Sequence, residues 1–445
     1  MSKTFKCLAS HTVTKPMSNA GYCSAVIFAL LMLFTLGGCG HSDDAQRSAS
    51  AEVHSENPST RSADLPQEDS TPDRVSLLER RLSEQESAEG WVHLFDGVTL
   101  FGWQSNAQAN FRVEEGCIVV DQGEKSLLCT EMNWDHYELV IEYRAGEMTN
   151  SGVFLSTSLS PGDITKDCYE VNIAPESHPF STGSLVERKV ATNVPVADHE
   201  VWRKMRIVHQ QNEVAVEIDG VEVCQYRDEQ PPKSGQIGLQ YNQGKIEFRK
   251  VLIRPLDMDD LLDEKLSAWK QYPEMDAKYS VTESGAMRVQ GGSGQIETKQ
   301  LFDDFILLAQ YKLPTPEMNS GIFFRCIPGD KMMGYECQVS NYPSEDDPLA
   351  PADCGAGGIF RRQDARLIAG ENNKWVSILL QVQGPSMAAW VNGVQVSGWT
   401  DDREPNENPR RGKRLEAGTI MIQGHDPGTD ALFQQLKIRA LKGAH

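Results

Sequence analysis

From residue 91 onward, apolar and polar positions alternate with the two-residue period of β-strands. Tyr137-Glu-Leu-Val-Ile-Glu-Tyr143 reads as a strand with one buried face, whereas Phe305-Ile-Leu-Leu-Ala-Gln-Tyr311 is a more continuous apolar run. Val214 to Val223 is two strands about Asp219-Gly220, and Trp390 to Val396 repeats the pattern about Asn392-Gly393; both dipeptides are strong hairpin signals. Ahead of this region, Val75, Leu78 and Leu82 have the spacing of one short helix. Further upstream, Ala25 to Leu36 is apolar throughout, too short for a helix crossing a bilayer core of about 30 Å.

The strand signals recur as a set. Asn150-Ser-Gly-Val-Phe154 answers Asn319-Ser-Gly-Ile-Phe323, and Tyr169-Glu-Val-Asn172 answers Tyr335-Glu-Cys-Gln338. Trp202 answers Trp375, and Gly235-Gln-Ile-Gly-Leu-Gln240 answers Gly418-Thr-Ile-Met-Ile-Gln423. Phe95-Asp96 to Trp103 has a worn counterpart in Leu262-Asp263 to Trp269. Asp259 to Lys270 taken alone has a helical pattern, but its place in the repeat predicts an extended segment. The insertion from Asp401 to Arg414 lengthens the second unit. The chain is therefore expected to be all-β, with tandem antiparallel sandwiches over 91–256 and 257–443. Each holds a full motif set, so separate folding and cleavage near 256–262 are expected.

Composition narrows the partners. Lys and Arg number 43 against 63 Asp and Glu, a formal charge of −20, which disfavours a nucleic-acid backbone and leaves a neutral sugar open. The first 38 residues place Lys3, Lys6 and Lys15 before the apolar run, as in a secretory signal. The run ends Leu36-Gly37-Gly38-Cys39, which resembles a bacterial lipobox; an ordinary signal peptide is the alternative. Lipidation at Cys39 implies a protein of the bacterial cell envelope, held to the membrane by a lipid anchor. Residues 40–90 lack aromatic residues and are rich in Ser, Glu, Asp and Arg, so 39–90 is expected to be a disordered tether. Cys117 and Cys129 flank an expected hairpin and could form a disulfide or a packed thiol pair; Cys326 and Cys337 read as core thiols.

The ordered motif set, present twice, resembles the 3-keto-disaccharide hydrolase domain. Its further signatures are Leu94-Phe-Asp-Gly97 to Gly102-Trp103 and the turns Thr182-Gly183 and Gly357-Gly358. The resemblance implies a concanavalin-like, laminin-G-like jelly roll and a carbohydrate substrate. It also implies an elimination: a C3 ketone acidifies the C2 proton, a base removes it, and the group at C1 departs. Such a site needs a base, a proton donor and a stabiliser of the enolate. The other function class is a non-catalytic, lectin-like carbohydrate-binding lipoprotein.

Glu170 and Glu336 are the candidate bases, with Asn172 and Gln338 two residues on and hence on the same strand face. The plain alternative is a solvated strand face. Tyr169 and Tyr335 flank them as candidate substrate contacts. His425, in Gln423-Gly-His-Asp426, resembles the family's Gln-Asp-His-Gly segment and is the candidate proton donor. Arg325 and Arg361 are candidate holders of the enolate or of hydroxyls, with sheet capping as the other reading. The first unit has Ser156 and Asn242 where the second has Arg325 and His425, so chemistry is assigned to the second. No cofactor is expected. Ca²⁺ at Asp346-Asp347 or Asp401-Asp402 stands as an alternative to solvated acidic loops.

Overall fold

A computed structural model describes residues 73–441. The leader, Cys39 and the tether as far as residue 72 lie outside them. The rest is all-β: two sandwiches, each of one larger and one five-stranded antiparallel sheet. The five-stranded sheet of the first runs, in spatial order, Trp103–Ser105, Ser126–Thr130, Gln236–Tyr241, Ser151–Thr157, Tyr169–Ile173. That of the second runs Trp269–Gln271, Gly294–Thr298, Thr419–Gly424, Ser320–Cys326, Tyr335–Val339, the same order from equivalent segments.

The worn start of the repeat is real. Trp103 donates through Nε1 to Leu94 O at 2.6 Å, and Trp269 to Leu261 O at 2.6 Å. Asp96 and Asp263 each accept backbone N–H groups of the following turn. Asp259–Asp260 is a short strand beside Asp430–Ala440, so the extended reading holds over the helical one. Both dipeptide hairpins form, with Asp219, Gly220, Asn392 and Gly393 all at positive φ. Cys117 and Cys129 do not share a hairpin; their strands belong to different sheets, and both thiols are free and buried.

The continuous apolar run of 305–311 now has a cause. Phe305, Leu307, Ala309 and Tyr311 fill the second sandwich, while Ile306 and Leu308 point the other way and join the core of the first. Leu379, Ala388 and Trp390 do the same. Trp390 meets Trp134 with ring centroids 5.7 Å apart and donates to His93 O at 2.9 Å. Arg366 pairs with buried Asp96 at 3.0 Å across the boundary. By contrast, Glu138 and Glu142 stand on the other face of Tyr137–Ala145, in ion pairs with arginines. An apolar seam therefore joins the two sandwiches, and whether they fold separately turns on how strongly that seam couples them. The linker is held as well, since Leu256 N donates to His136 O at 2.8 Å and Arg439 donates to Leu256 O at 3.0 Å.

The end of the expected tether is also built in. Helices Arg74–Leu78 and Glu84–Ala88 replace the single helix expected. Leu77 is buried in the core of the second sandwich, although the first follows next in the chain. Ser83 and Glu86 form a reciprocal capping box. Among the described residues no helix is long and apolar enough to cross a membrane.

Candidate functional site

In an antiparallel sheet, directly opposed residues share a face. The registers therefore lay out the outer face of each five-stranded sheet. In the second sandwich one row runs Glu297, Met421, Phe323, Glu336, and the next holds Gln295, Gln423, Gly321 and Gln338. In the first, the rows run Cys129, Gly238, Phe154, Glu170 and Leu127, Gln240, Gly152, Asn172. Glu170 and Glu336 thus occupy equivalent places, each with its amide neighbour on the same face.

The Asn-Ser-Gly signature builds this corner. Ser151 and Ser320 donate to Gln240 O at 2.7 Å and Gln423 O at 2.8 Å, locking the strand pair. The glycine leaves a gap into which the carboxyl lies. A Cβ on Gly321 would fall 2.7 Å from Glu336 Oε1, and one on Gly152 would fall 3.1 Å from Glu170 Oε1. Each glutamate is therefore folded over its neighbouring strand, Glu170 buried and Glu336 half-buried.

Burial governs the electrostatics. It pushes the Glu336 carboxyl up to about 7, with Asp353 adding to the rise and Arg410 and Arg361 opposing it. No described residue donates a hydrogen bond to that carboxyl. Glu170 is raised by burial too, opposed by Lys125, Gln240 and His178. Gln240 is fully buried beside it, yet neither its amide nitrogen nor its oxygen completes an aligned hydrogen bond; Asn172 Oδ1 and Gln423 Oε1 are likewise buried without partners. Buried amides normally find partners. Each corner therefore sets a raised carboxyl beside buried amide atoms that lack aligned partners. Glu297, on the same face of the second sandwich, behaves otherwise. Tyr272, Lys270, Gly329 and Thr419 all donate to it, and despite burial those donors hold it below the usual value. Three strand spacings separate it from Glu336, about 14 Å between backbones. That exceeds the carboxylate spacing of ordinary glycosidases, about 5–9.5 Å.

Other expected site residues are placed elsewhere. Tyr169 and Tyr335 point into the cores, as residues adjacent to Glu170 and Glu336 must, and their hydroxyls donate to Asp228 at 3.0 Å and Asp401 at 2.7 Å. Arg325 is fully buried. It sits at a β-bulge in left-handed backbone, φ 48°, and the bulge turns its side chain out of the alternation that carries Phe323. Its guanidinium donates to Asp303 O, Gly384 O, Arg414 O and Asp304 Oδ1, so it braces the structure and does not line the face. Ser156 occupies the equivalent bulge. His425 lies half-exposed beyond the strand end, with Nδ1 2.8 Å from Asp426, and is not among the charges acting on Glu336. Arg361 is among them. As for Ca²⁺, Asp401 is taken by Arg403 and Tyr335, and Asp347 by Arg74. Among the described residues no group of three or more His, Cys, Asp or Glu is arranged for a metal ion.

The model of the 3-keto-alpha-glucoside-1,2-lyase-like domain matches residues 90–254 and again 257–439. The chain belongs to that family. Both matches contain the glutamate, the amide and the Asn-Ser-Gly strand start that form each corner. Two glycosyl hydrolase candidates from Parabacteroides distasonis resemble it in structure. One is 19% identical over 40% of this chain and 99% of its own, with a TM-score of 0.36; the other is 21% identical over 42% and 100%, with a TM-score of 0.33. A carbohydrate-binding module from Bacillus subtilis is 13% identical over 34% and 95%, with a TM-score of 0.27. Among curated proteins none matches.

Several residues at the corners escaped the sequence reading. Gln240 and Gln423 close a motif whose pattern signals only a strand. Arg410 lies in the insertion from Asp401 to Arg414, and insertions on one repeat are where a site is customised. His178 lies in the loop before Thr182-Gly183, with Nδ1 3.4 Å from Asn172 Nδ2 and 2.9 Å from Phe180 O. The first sandwich therefore has an imidazole near Glu170, which Ser156 and Asn242 did not foretell.

Proposed function

We propose that this protein cleaves 3-keto-glycosides by elimination, with Glu336 as the base. The observation that carries this reading is a half-buried carboxyl without a hydrogen-bond donor, raised to about 7, on a face with an unpaired buried amide in a domain of this family. A base of that strength is poised at neutral pH. Glu336 takes the proton from C2, and the electron pair of the C2–H bond forms the C2–C3 double bond as the ketone becomes an enolate. The enolate re-forms the ketone, a double bond forms between C1 and C2, and the C1–O bond breaks. The proton held by Glu336 is available to the departing oxygen. Water addition at C1 then completes a net hydrolysis. Arg410 and Arg361, the cations acting on Glu336, supply the charge that steadies the enolate. Glu170, with His178 and Lys125, offers the same elements in the first sandwich.

Incubating the protein with a 3-keto-glucoside should release free aglycone, whereas the parent glucoside lacking the ketone should remain intact. Binding of both sugars without release would replace the enzyme by a lectin-like protein.

The cellular setting is part of the proposal. Leu36-Gly37-Gly38-Cys39 after an apolar stretch supports a lipid anchor in the cell envelope. Expressed in a Gram-negative host, the wild type should fractionate with membranes and Cys39→Ser should move to the soluble fraction. A variant that stays with membranes would exclude Cys39 as the anchor.

A further inference from the structure

A cleft of about 660 Å³ opens on the larger sheet of the first sandwich, across the core from Glu170. Trp202 lines it, held by the guanidinium groups of Arg144 and Arg249 at 4.8 and 4.0 Å from its ring. Arg80, Arg144, Lys245, Arg249 and Lys250 line it together with Asp96, Glu114, Glu115 and Glu247. Glu247 is shared by Arg144 and Lys245, and Glu142 by Arg249 and Lys250, so two carboxylates serve four cations. Two further acids at the wall are drawn to cations beyond the cleft, Glu114 to Arg112 and Asp96 to Arg366. Glu115 remains, against a fifth cation, Arg80. Arg80 forms no ion pair with any described residue. Its guanidinium lies across Gly97 and Gly116, where a Cβ would come within 2.9 and 3.4 Å of it. Both glycines have φ near 75°, so the backbone there is shaped to admit that side chain. His93 Nδ1, at the same wall, is buried without a hydrogen-bond partner.

We propose that this cleft binds an anionic saccharide, a sugar ring bearing a carboxylate or sulfate ester. The ring packs on Trp202, and the acidic group is met by Arg80 and the cations shared over Glu247 and Glu142. Electrostatics supplies selection for the anion, and the aromatic floor supplies selection for a ring over a bare ion. The choice of a saccharide rests on the carbohydrate reading above; the call for an anion rests on Arg80, which has no ion pair among the described residues.

The test is calorimetric titration of the full chain with a glucuronate-containing tetrasaccharide and with its carboxyl-reduced counterpart. The acidic form should bind at least about tenfold more tightly, and added salt should erode the difference. Arg80→Ala and Trp202→Ala should each weaken it by about tenfold or more, while release of aglycone from a neutral 3-keto-glucoside is unchanged. Equal affinity for the two tetrasaccharides, wild-type affinity in Arg80→Ala, or inorganic sulfate binding as tightly as the saccharide would each overturn the proposal. The keto-sugar assay is read separately, so failure of either reading leaves the other standing.

Discussion

Glu336→Gln is expected to lower turnover of a 3-keto-glucoside by about 10²–10⁴ while making the fold more stable above neutral pH. The two effects share one cause. Burial raises the folded-state value from 4.5 to about 7. Between those two values the native protein holds a proton that the unfolded chain has released. Stability is therefore complete below about pH 4.5 and falls as pH rises through 7, by on the order of 3 kcal/mol at most. Gln keeps the shape and cannot ionise, so it removes that loss together with the base. Urea midpoints of wild type and variant should nearly coincide at pH 4 and separate at pH 8, with the variant higher. Wild-type kcat/KM should rise with pH through about 7, because only the carboxylate accepts the C2 proton. A variant no more stable than wild type at pH 8 would show that the carboxyl is better solvated than its position indicates. Normal turnover in the variant would move the chemistry to Glu170 or elsewhere.

The fold was legible because it rests on local signals present twice. Dipeptides with positive φ fix the hairpins, and alternation fixes which strand residues face inward. The same alternation was enough to place Glu170 and Asn172 together, and Glu336 and Gln338. It was also enough to turn Tyr169 and Tyr335 inward, a consequence left undrawn when they were counted as substrate contacts. Arg325 misled for a different reason. A one-residue bulge reverses the side chain's face, and no residue type announces it, since Ser156 stands in the equivalent bulge. His178 and Arg410 reach the two glutamates from loops, whose paths depend on tertiary packing and carry no period. The identity of the carboxyl's neighbours, and hence its raised proton affinity, could be read only after folding.

Trp390→Ala should be the most damaging single truncation at the seam, costing about 3–5 kcal/mol, the range for removing a buried large aromatic side chain. Trp390 is 2% exposed, touches Trp134 edge-on and donates to His93 O, so its loss opens a cavity and orphans an acceptor together. Ile306 and Leu308 lie on the same outward face and lose their apolar surroundings with it. The strap formed by residues 73–90 adds a second tie, since Leu77 lies in the core of the second sandwich while the chain proceeds into the first. With both in place the wild type should unfold in one cooperative transition, with calorimetric and van't Hoff enthalpies equal. In Trp390→Ala the transition should broaden or divide, and protease should gain access to the linker at 257–262. The unpaired residues 306 and 308 would then present apolar positions to water, so self-association should accompany the loss. Two transitions already present in the wild type, only the second of which moves in the variant, would mean that the seam packs without coupling the sandwiches.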